Sequence, residues 1–457
     1  MPKDVGGSKG EGLVLSPIPA ARVGVAMSGG GHRATLFGLG VLLYLADAGE
    51  NRNVVSISSV SGGSLTNAFV GLECDYPTTT AADFRTVARR LAGQIANRGT
   101  LFAWRGTRIY LAALGVFGLG IFLVWLLPWY WLLRLALFVA ALMAWDFVLL
   151  RRRGIICGWS YAATLFRRAG SAAKLADIRR DSIDHVVCAT HLHAGEHMYF
   201  SGGFVYAYRF GWGTPGDLPL HVPVQASTAV PGAFPPRWVR SARLGLRGTA
   251  VPRLIALADG GVYDNMADQW FSGFEHRHGV PVEIKVPGVF IIANASASMG
   301  MEPVSSFELP LIGELAALKR SSSIMYDNSA SIRKSDLVRL FDTAATGSDC
   351  ARFGIRGALL DIRSDPFAAA GYFSQQEAAW PDRAARARAA LTRRPVDWTS
   401  DGEWAAAMPT DLSKWGVQHS ARLLRHAYAL AAMNLHVLLG FPLVELPPLQ
   451  SFEELCR

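Results

Sequence analysis

Val54-Val-Ser-Ile-Ser-Ser-Val-Ser-Gly-Gly-Ser-Leu-Thr-Asn67 decides the fold. Its first seven residues are β-branched or small and suit a buried strand. The strand ends at Ser61, and a helix starts with Gly62 and Gly63. A serine on so abrupt a strand-to-helix turn is the nucleophile-elbow pattern, which lifts the hydroxyl above the sheet. Small residues at 59, 62 and 63 let the two elements close tightly. The helix N-terminus, with its unpaired amides, favours negative charge developing at the serine. Ser59 stands where G-x-S-x-G has its first glycine. A Ser/Gly turn without chemistry has the same letters, so its surroundings must decide.

Upstream, Val23-Gly-Val-Ala-Met27 reads as a short strand, Ser28-Gly-Gly-Gly-His-Arg33 as a loop, and residues 34–48 as a helix apolar on nearly all sides. With the strand over 54–60 this is a β-α-β unit, whose consequence is a parallel sheet covered by helices. Three glycines after a strand allow backbone shapes closed to other residues and bare their N–H groups. An oxyanion hole made by Gly29, Gly30 and Gly31 fits this, with Arg33 adding a fixed positive charge or bracing the loop. A phosphate-binding turn is the alternative. It lacks the G-x-G-x-x-G spacing and the Lys-Ser/Thr of a P-loop.

Residues 101–153 change character. Residues 109–127 carry no charge, Pro128-Trp-Tyr-Trp131 is an aromatic turn, and 132–150 contain only Arg134 and Asp146. Each arm spans about 28 Å, close to a bilayer core. Trp125, Trp129, Tyr130 and Trp131 suit an interfacial belt. Arg105 and Arg108 before the hairpin, and Arg151, Arg152 and Arg153 after it, hold both outer ends in the cytoplasm. The expectation is a membrane-embedded hairpin, with bilayer contact through 109–150 and everything else on the cytoplasmic side. A buried core hairpin or a re-entrant one would use similar letters.

The α/β pattern then resumes, with strands expected over 182–190 and 197–205. His191, His193 and His197 lack a partner carboxylate set and helical spacing, so no metal site is expected. Residues 222–236 read as a helix stopped by prolines. Leu254-Ile-Ala-Leu-Ala-Asp-Gly-Gly-Val-Tyr-Asp-Asn265 is a strand delivering Asp259 into a glycine turn, at the sheet end where catalytic groups are displayed. Further strands are expected over 289–294 and 358–363, and helices over 307–340, 381–391 and 417–439.

Composition sets the remaining bounds. The 457 residues are 51% apolar with a net charge of +9, mostly from arginine. No basic run is interleaved with aromatics, so an anionic membrane surface fits better than nucleic acid. Five separated cysteines, Cys74, Cys157, Cys188, Cys350 and Cys456, suit a reducing compartment. Residues 1–12 are polar and glycine-rich, and residues 1–21 are expected to be a disordered tail. The expected organisation continues with 22–100 and 154–300 as two parts of one catalytic domain. The hairpin at 101–153 is inserted between them, and a helical region at 301–457 completes or covers the domain.

Taken in order, Ser28-Gly-Gly-Gly-His-Arg33, Ser59-Val-Ser-Gly-Gly63, Ala226-Ser-Thr-Ala-Val-Pro-Gly-Ala-Phe-Pro-Pro236 and Asp259-Gly-Gly261 resemble the patatin-like phospholipases. The Ser-Gly-Gly-Gly-x-Arg-Ala form is closest to the related cytosolic phospholipases. The resemblance covers about residues 22–75 and 180–295. It implies a three-layer α/β sandwich with a mostly parallel central sheet. It also implies a Ser-Asp dyad without histidine or cofactor, with Ser61 as nucleophile and Asp259 as base, acting on acyl esters of membrane phospholipids or related lipids. An α/β-hydrolase with a late histidine (His419, His426 or His436) is the runner-up. There the oxyanion loop lies several elements before the elbow, and its histidine precedes the glycines, whereas His32 follows them. A lipid transacylase shares the first half-reaction, and a non-catalytic, membrane-anchored lipid- or partner-binding protein would keep the fold alone.

Overall fold

The computed structural model describes residues 22–126, 130–246, 251–272, 283–296, 312–345, 356–396 and 398–457. The tail expected at 1–21, the turn residues Pro128 and Trp129, Cys350 and the first residues of the helix expected from 307 lie outside them.

The chain enters through β1 (Val23–Met27), α1 (Gly31–Asp47), β2 (Val54–Val60) and α2 (Ser61–Glu73). The first helix starts earlier than the sequence pattern suggests, because Gly30 (φ 139°) and Gly31 (φ 56°) turn the backbone into it. After α3 (Ala81–Asn97) come α4 (Arg105–Trp125), α5 (Trp131–Val148) and α6 (Arg153–Thr164). The sheet continues with β3 (Asp184–His191), β4 (Glu196–Ser201), β5 (Val205–Ala207) and β6 (Gly211–Gly213). The strand expected over 197–205 is therefore two strands, split by a turn at 202–204. Then follow α7 (His221–Ser227), β7 (Arg237–Arg240), β8 (Leu254–Ala258) and β9 (Val289–Asn294). The helix expected over 222–236 ends at Ser227, well before its prolines. The last elements used below are α8 (Ile312–Ala345), β10 (Arg356–Asp361), α9 (Pro381–Leu391) and α10 (Val417–Leu439).

Ten strands among the described residues make one mixed sheet. Its centre, β10-β9-β1-β2-β3, is parallel, and β4, β5 and β6 extend it antiparallel beyond β3. The residues after 301 supply the edge strand β10 and the helix α10. The latter packs along α1, which explains why α1 is apolar all round: every residue from His32 to Ala46 is buried.

The placement of β8 determines the site. β4 lies along one edge of β3, so β8, paired antiparallel to Thr190 and His191, takes the other edge. That is the edge β2 occupies as far as Cys188. β2 and β8 therefore meet end to end, and their C-terminal residues deliver Ser61 and Asp259 to the same point.

The hairpin is not part of the core. Only Thr107 and Ile121 are buried on α4, and nothing on α5. Ile109, Val116, Phe122, Trp131 and Phe147 are all more than half exposed. By length and composition α4 and the helix starting at Trp131 are able to cross a membrane. Arg134 lies over the Trp125 ring, 5.0 Å from its centre, near the turn. At the root, Tyr110 Oη donates to the Leu149 carbonyl at 2.7 Å and ties the two arms together.

Candidate active site

Ser61 sits at φ 47°, a left-handed conformation unusual for a residue with a β-carbon. The strand-to-helix turn requires it, and close glycines allow it. A β-carbon on Gly62 would overlap the Gly31 carbonyl oxygen, and one on Gly63 would lie 2.7 Å from the Met27 carbonyl oxygen. Ser59 is bonded into the turn. Its hydroxyl donates to Val186 O at 3.1 Å and accepts from Asn67 Nδ2 at 2.8 Å and Ser64 Oγ at 3.2 Å. The serine in place of glycine thus ties β2 and α2 to β3 without undoing the elbow.

Asp259 follows β8 on a tight turn. Its N–H donates to Ala229 O at 3.0 Å, and its carbonyl accepts from Thr190 Oγ1 at 2.9 Å. Gly260 presses against the Cys188 carbonyl and Val60, and His197 Nε2–H donates to Gly260 O at 3.0 Å. Burial lowers the His197 pKa to about 4, so the ring is neutral. The carboxyl accepts the Gly261 N–H at 2.8 Å through Oδ1, while Oδ2 is buried without a partner of good hydrogen-bond geometry. Burial raises the Asp259 pKa from 3.8 to about 7, against the lowering effects of the Ser61 hydroxyl and the Gly261 amide. The serine hydroxyl therefore faces a carboxyl that changes charge near neutrality, which suits a general base.

Two helix N-termini converge beside this pair. α1 starts at Gly31 and α2 at Ser61, and Gly63 N–H donates to Ser28 O at 3.2 Å. A β-carbon on Gly29 would lie 3.2 Å from Ser61 Cβ, so the glycine loop borders the elbow serine. The expected roles in this loop divide. Gly29 N–H is already bonded to Asn265 O at 3.0 Å and is not available to an oxyanion. Arg33 donates to Ala295 O at 3.0 Å and to Ala406 O and Met408 O at 2.8 Å, so it braces the loop against two distant segments. Among the described residues, the amides of Gly30, Gly31 and Gly62 have no acceptor. They are the donors left for developing negative charge.

Ser227, one residue inside the proline-rich segment, was not singled out by its own chemistry. It accepts the Ser61 N–H at 2.9 Å and donates to Cys188 O at 2.6 Å. The order of the motifs pointed at its segment, but nothing local marked this hydroxyl. Ser227→Ala orphans the buried Ser61 amide. We expect a loss of about 1–3 kcal/mol in stability and about tenfold in turnover, measured by thermal unfolding and ester hydrolysis.

The late histidines are engaged elsewhere. His419 bonds Trp415 O at 3.3 Å, His426 bonds Ile362 O at 2.7 Å and His436 bonds Phe441 O at 2.7 Å. Among the described residues, no histidine is among the groups acting on Asp259. His191 pairs with Glu196, and His193 Nε2 accepts the Ala256 N–H at 3.2 Å, so these rings serve the sheet.

No family profile and no curated protein matches the sequence. Among solved structures, the chain is similar to human GIVD cytosolic phospholipase A2 at 15% identity and a TM-score of 0.36, over 66% of this chain and 46% of that one. It is also similar to VipD from Legionella pneumophila at 13% identity and a TM-score of 0.35, over 93% of this chain and 67% of that one. The human enzyme in complex with methyl gamma-linolenyl fluorophosphonate and terbium chloride gives 14% and 0.34, over 66% and 44%. The chain spans less than half the length of the human enzyme, and no family is assigned from these likenesses.

Proposed function

We propose that the chain is a membrane-associated serine lipid acyl hydrolase of the patatin-like kind, working through a Ser61–Asp259 dyad. The observation that carries this reading is the Asp259 carboxyl, buried and raised to about 7, acting on a strained serine where two helix N-termini meet. Ionised Asp259 takes the Ser61 proton as the oxygen attacks the acyl carbonyl. The tetrahedral oxyanion is held by the amides of Gly30, Gly31 and Gly62. Collapse expels the alcohol, which takes the proton back from Asp259 and leaves an acyl-serine. Water, deprotonated by the same carboxylate, repeats the sequence and frees the fatty acid.

The reaction needs the ionised carboxylate, so the acid limb of kcat/KM is expected to rise with pH through a single ionisation near 7. The probe is a fluorogenic acyl ester in detergent. A rate already flat at pH 5 would assign the base elsewhere.

The exposed apolar arms of α4 and α5 support anchoring in a bilayer. The basic residues at both roots support a cytoplasmic catalytic domain. The site would then meet its lipid substrate laterally. Replacing residues 109–150 by a short linker should move the protein from the membrane pellet to the supernatant. Retention after an alkaline wash rules out the hairpin as the anchor.

A further inference from the structure

One short segment holds both members of the dyad. Ser227 Oγ accepts the Ser61 N–H at 2.9 Å, and Ala229 O accepts the Asp259 N–H at 3.0 Å. The same segment is fastened to α6 at the root of the hairpin. Tyr161 Oη donates to Thr228 Oγ1 at 3.2 Å. Arg153 Nε donates to Ala233 O at 2.6 Å, and its Nη2 reaches Gly232 O at 3.5 Å. Gly158 lets α6 approach closely, since a β-carbon there would lie 3.2 Å from the His221 ring and 3.4 Å from Gln225 Cβ on α7. Arg153 begins α6 after a single tight turn beyond α5, so the connection from hairpin to segment has little slack. Residues 230–233 are exposed, and among the described residues Arg153 is the side chain that bonds their far end.

We infer that Arg153 is a positioning residue: through residues 227–233 it sets Ser61 and Asp259 against each other, so the hairpin governs turnover as well as attachment. This rests on the dyad and bilayer readings above. The neighbours provide an internal control for charge. Arg151 pairs with the exposed Asp146 at 3.2 Å, and among the described residues neither Arg151 nor Arg152 bonds the segment. If the basic root only draws the protein to anionic lipid, the three arginines should count alike, each through surface binding. If the guanidinium fork positions the dyad, Arg153 stands apart, and lysine cannot replace it because it lacks the fork.

The test measures hydrolysis of a fluorogenic phospholipid in mixed vesicles of neutral and anionic lipid, with the full chain and its Arg151→Ala, Arg152→Ala, Arg153→Ala, Arg153→Lys and Tyr161→Phe variants. Vesicle partition, thermal unfolding and fluorophosphonate labelling rate are followed in parallel. The expected result is a kcat loss of about tenfold in both Arg153 variants and several-fold in Tyr161→Phe, with KM and partition within twofold of wild type. Arg151→Ala and Arg152→Ala should change KM and partition only. Wild-type kcat in Arg153→Lys, or an Arg153→Ala loss confined to KM and shared by Arg151→Ala, overturns the positioning role while the dyad stands. A wild type that neither labels nor turns over ester overturns the dyad reading and the inference with it.

Discussion

Ser61→Ala is expected to extinguish labelling of the detergent-solubilised protein by a fluorophosphonate and to lower acyl-ester turnover by about 10⁴ or more, as loss of the nucleophile does in enzymes whose catalytic groups act as a unit. The reagent reports an activated hydroxyl, and in the proposed dyad the activating group is the carboxyl. The Ser61 side chain lies against a carboxyl that desolvation keeps in the range where it can take a proton. The substitution should not disturb the fold. Alanine keeps the β-carbon already accommodated at φ 47°, and the backbone bond from Ser61 N–H to Ser227 is untouched. Equal unfolding midpoints for variant and wild type are therefore part of the expected result. Labelling that persists undiminished in Ser61→Ala would place the reactive serine elsewhere. A folded wild type that never labels would favour a lipid-binding protein.

Asp259→Asn should remove turnover to a similar extent while stabilising the protein at alkaline pH. The carboxyl titrates at about 7 when folded, against 3.8 ordinarily, because burial disfavours its charge. The folded state therefore holds a proton that the unfolded state has released. The favourable contribution of the neutral carboxyl is complete below about pH 4. It is lost progressively as pH rises through about 7, where the buried charge costs on the order of 4 kcal/mol. Asparagine cannot ionise and escapes this cost. Its advantage in thermal unfolding should be absent at pH 4 and fully developed by pH 8, with hydrolysis absent throughout. A variant less stable than wild type at pH 8 would remove the desolvated carboxyl from the account. Retained hydrolysis would mean that another group takes the serine proton.

The two predictions use residues that were legible in the sequence for a local reason. Strand, turn and helix are punctuated by nearby residues. Val54–Val60 ends at a Ser-Gly-Gly turn, Leu254–Ala258 ends at Asp-Gly-Gly, and Val23–Met27 ends at three glycines. The apolar arms on either side of Tyr130 were visible in the same way, since length and a near-absence of charge are properties of a short window.

Ser61, Asp259, the glycine loop and the hairpin were thus determined by the sequence itself. The tertiary structure alone decided which of them lie together. Antiparallel β8 continues the edge of β3 that β2 leaves at Ser61, which is what brings serine and carboxyl together. It also decided which donors remain. Gly29 loses its amide to Asn265, and Arg33 gives its guanidinium to carbonyls at 295, 406 and 408. Ser227 takes the Ser61 amide from 166 positions away. Most buried polar groups find a partner, and that partner is set by the packing of distant segments. A residue's type and local spacing tell what it can donate or accept, but which donors stay unpaired for chemistry emerges only once the chain has closed on itself.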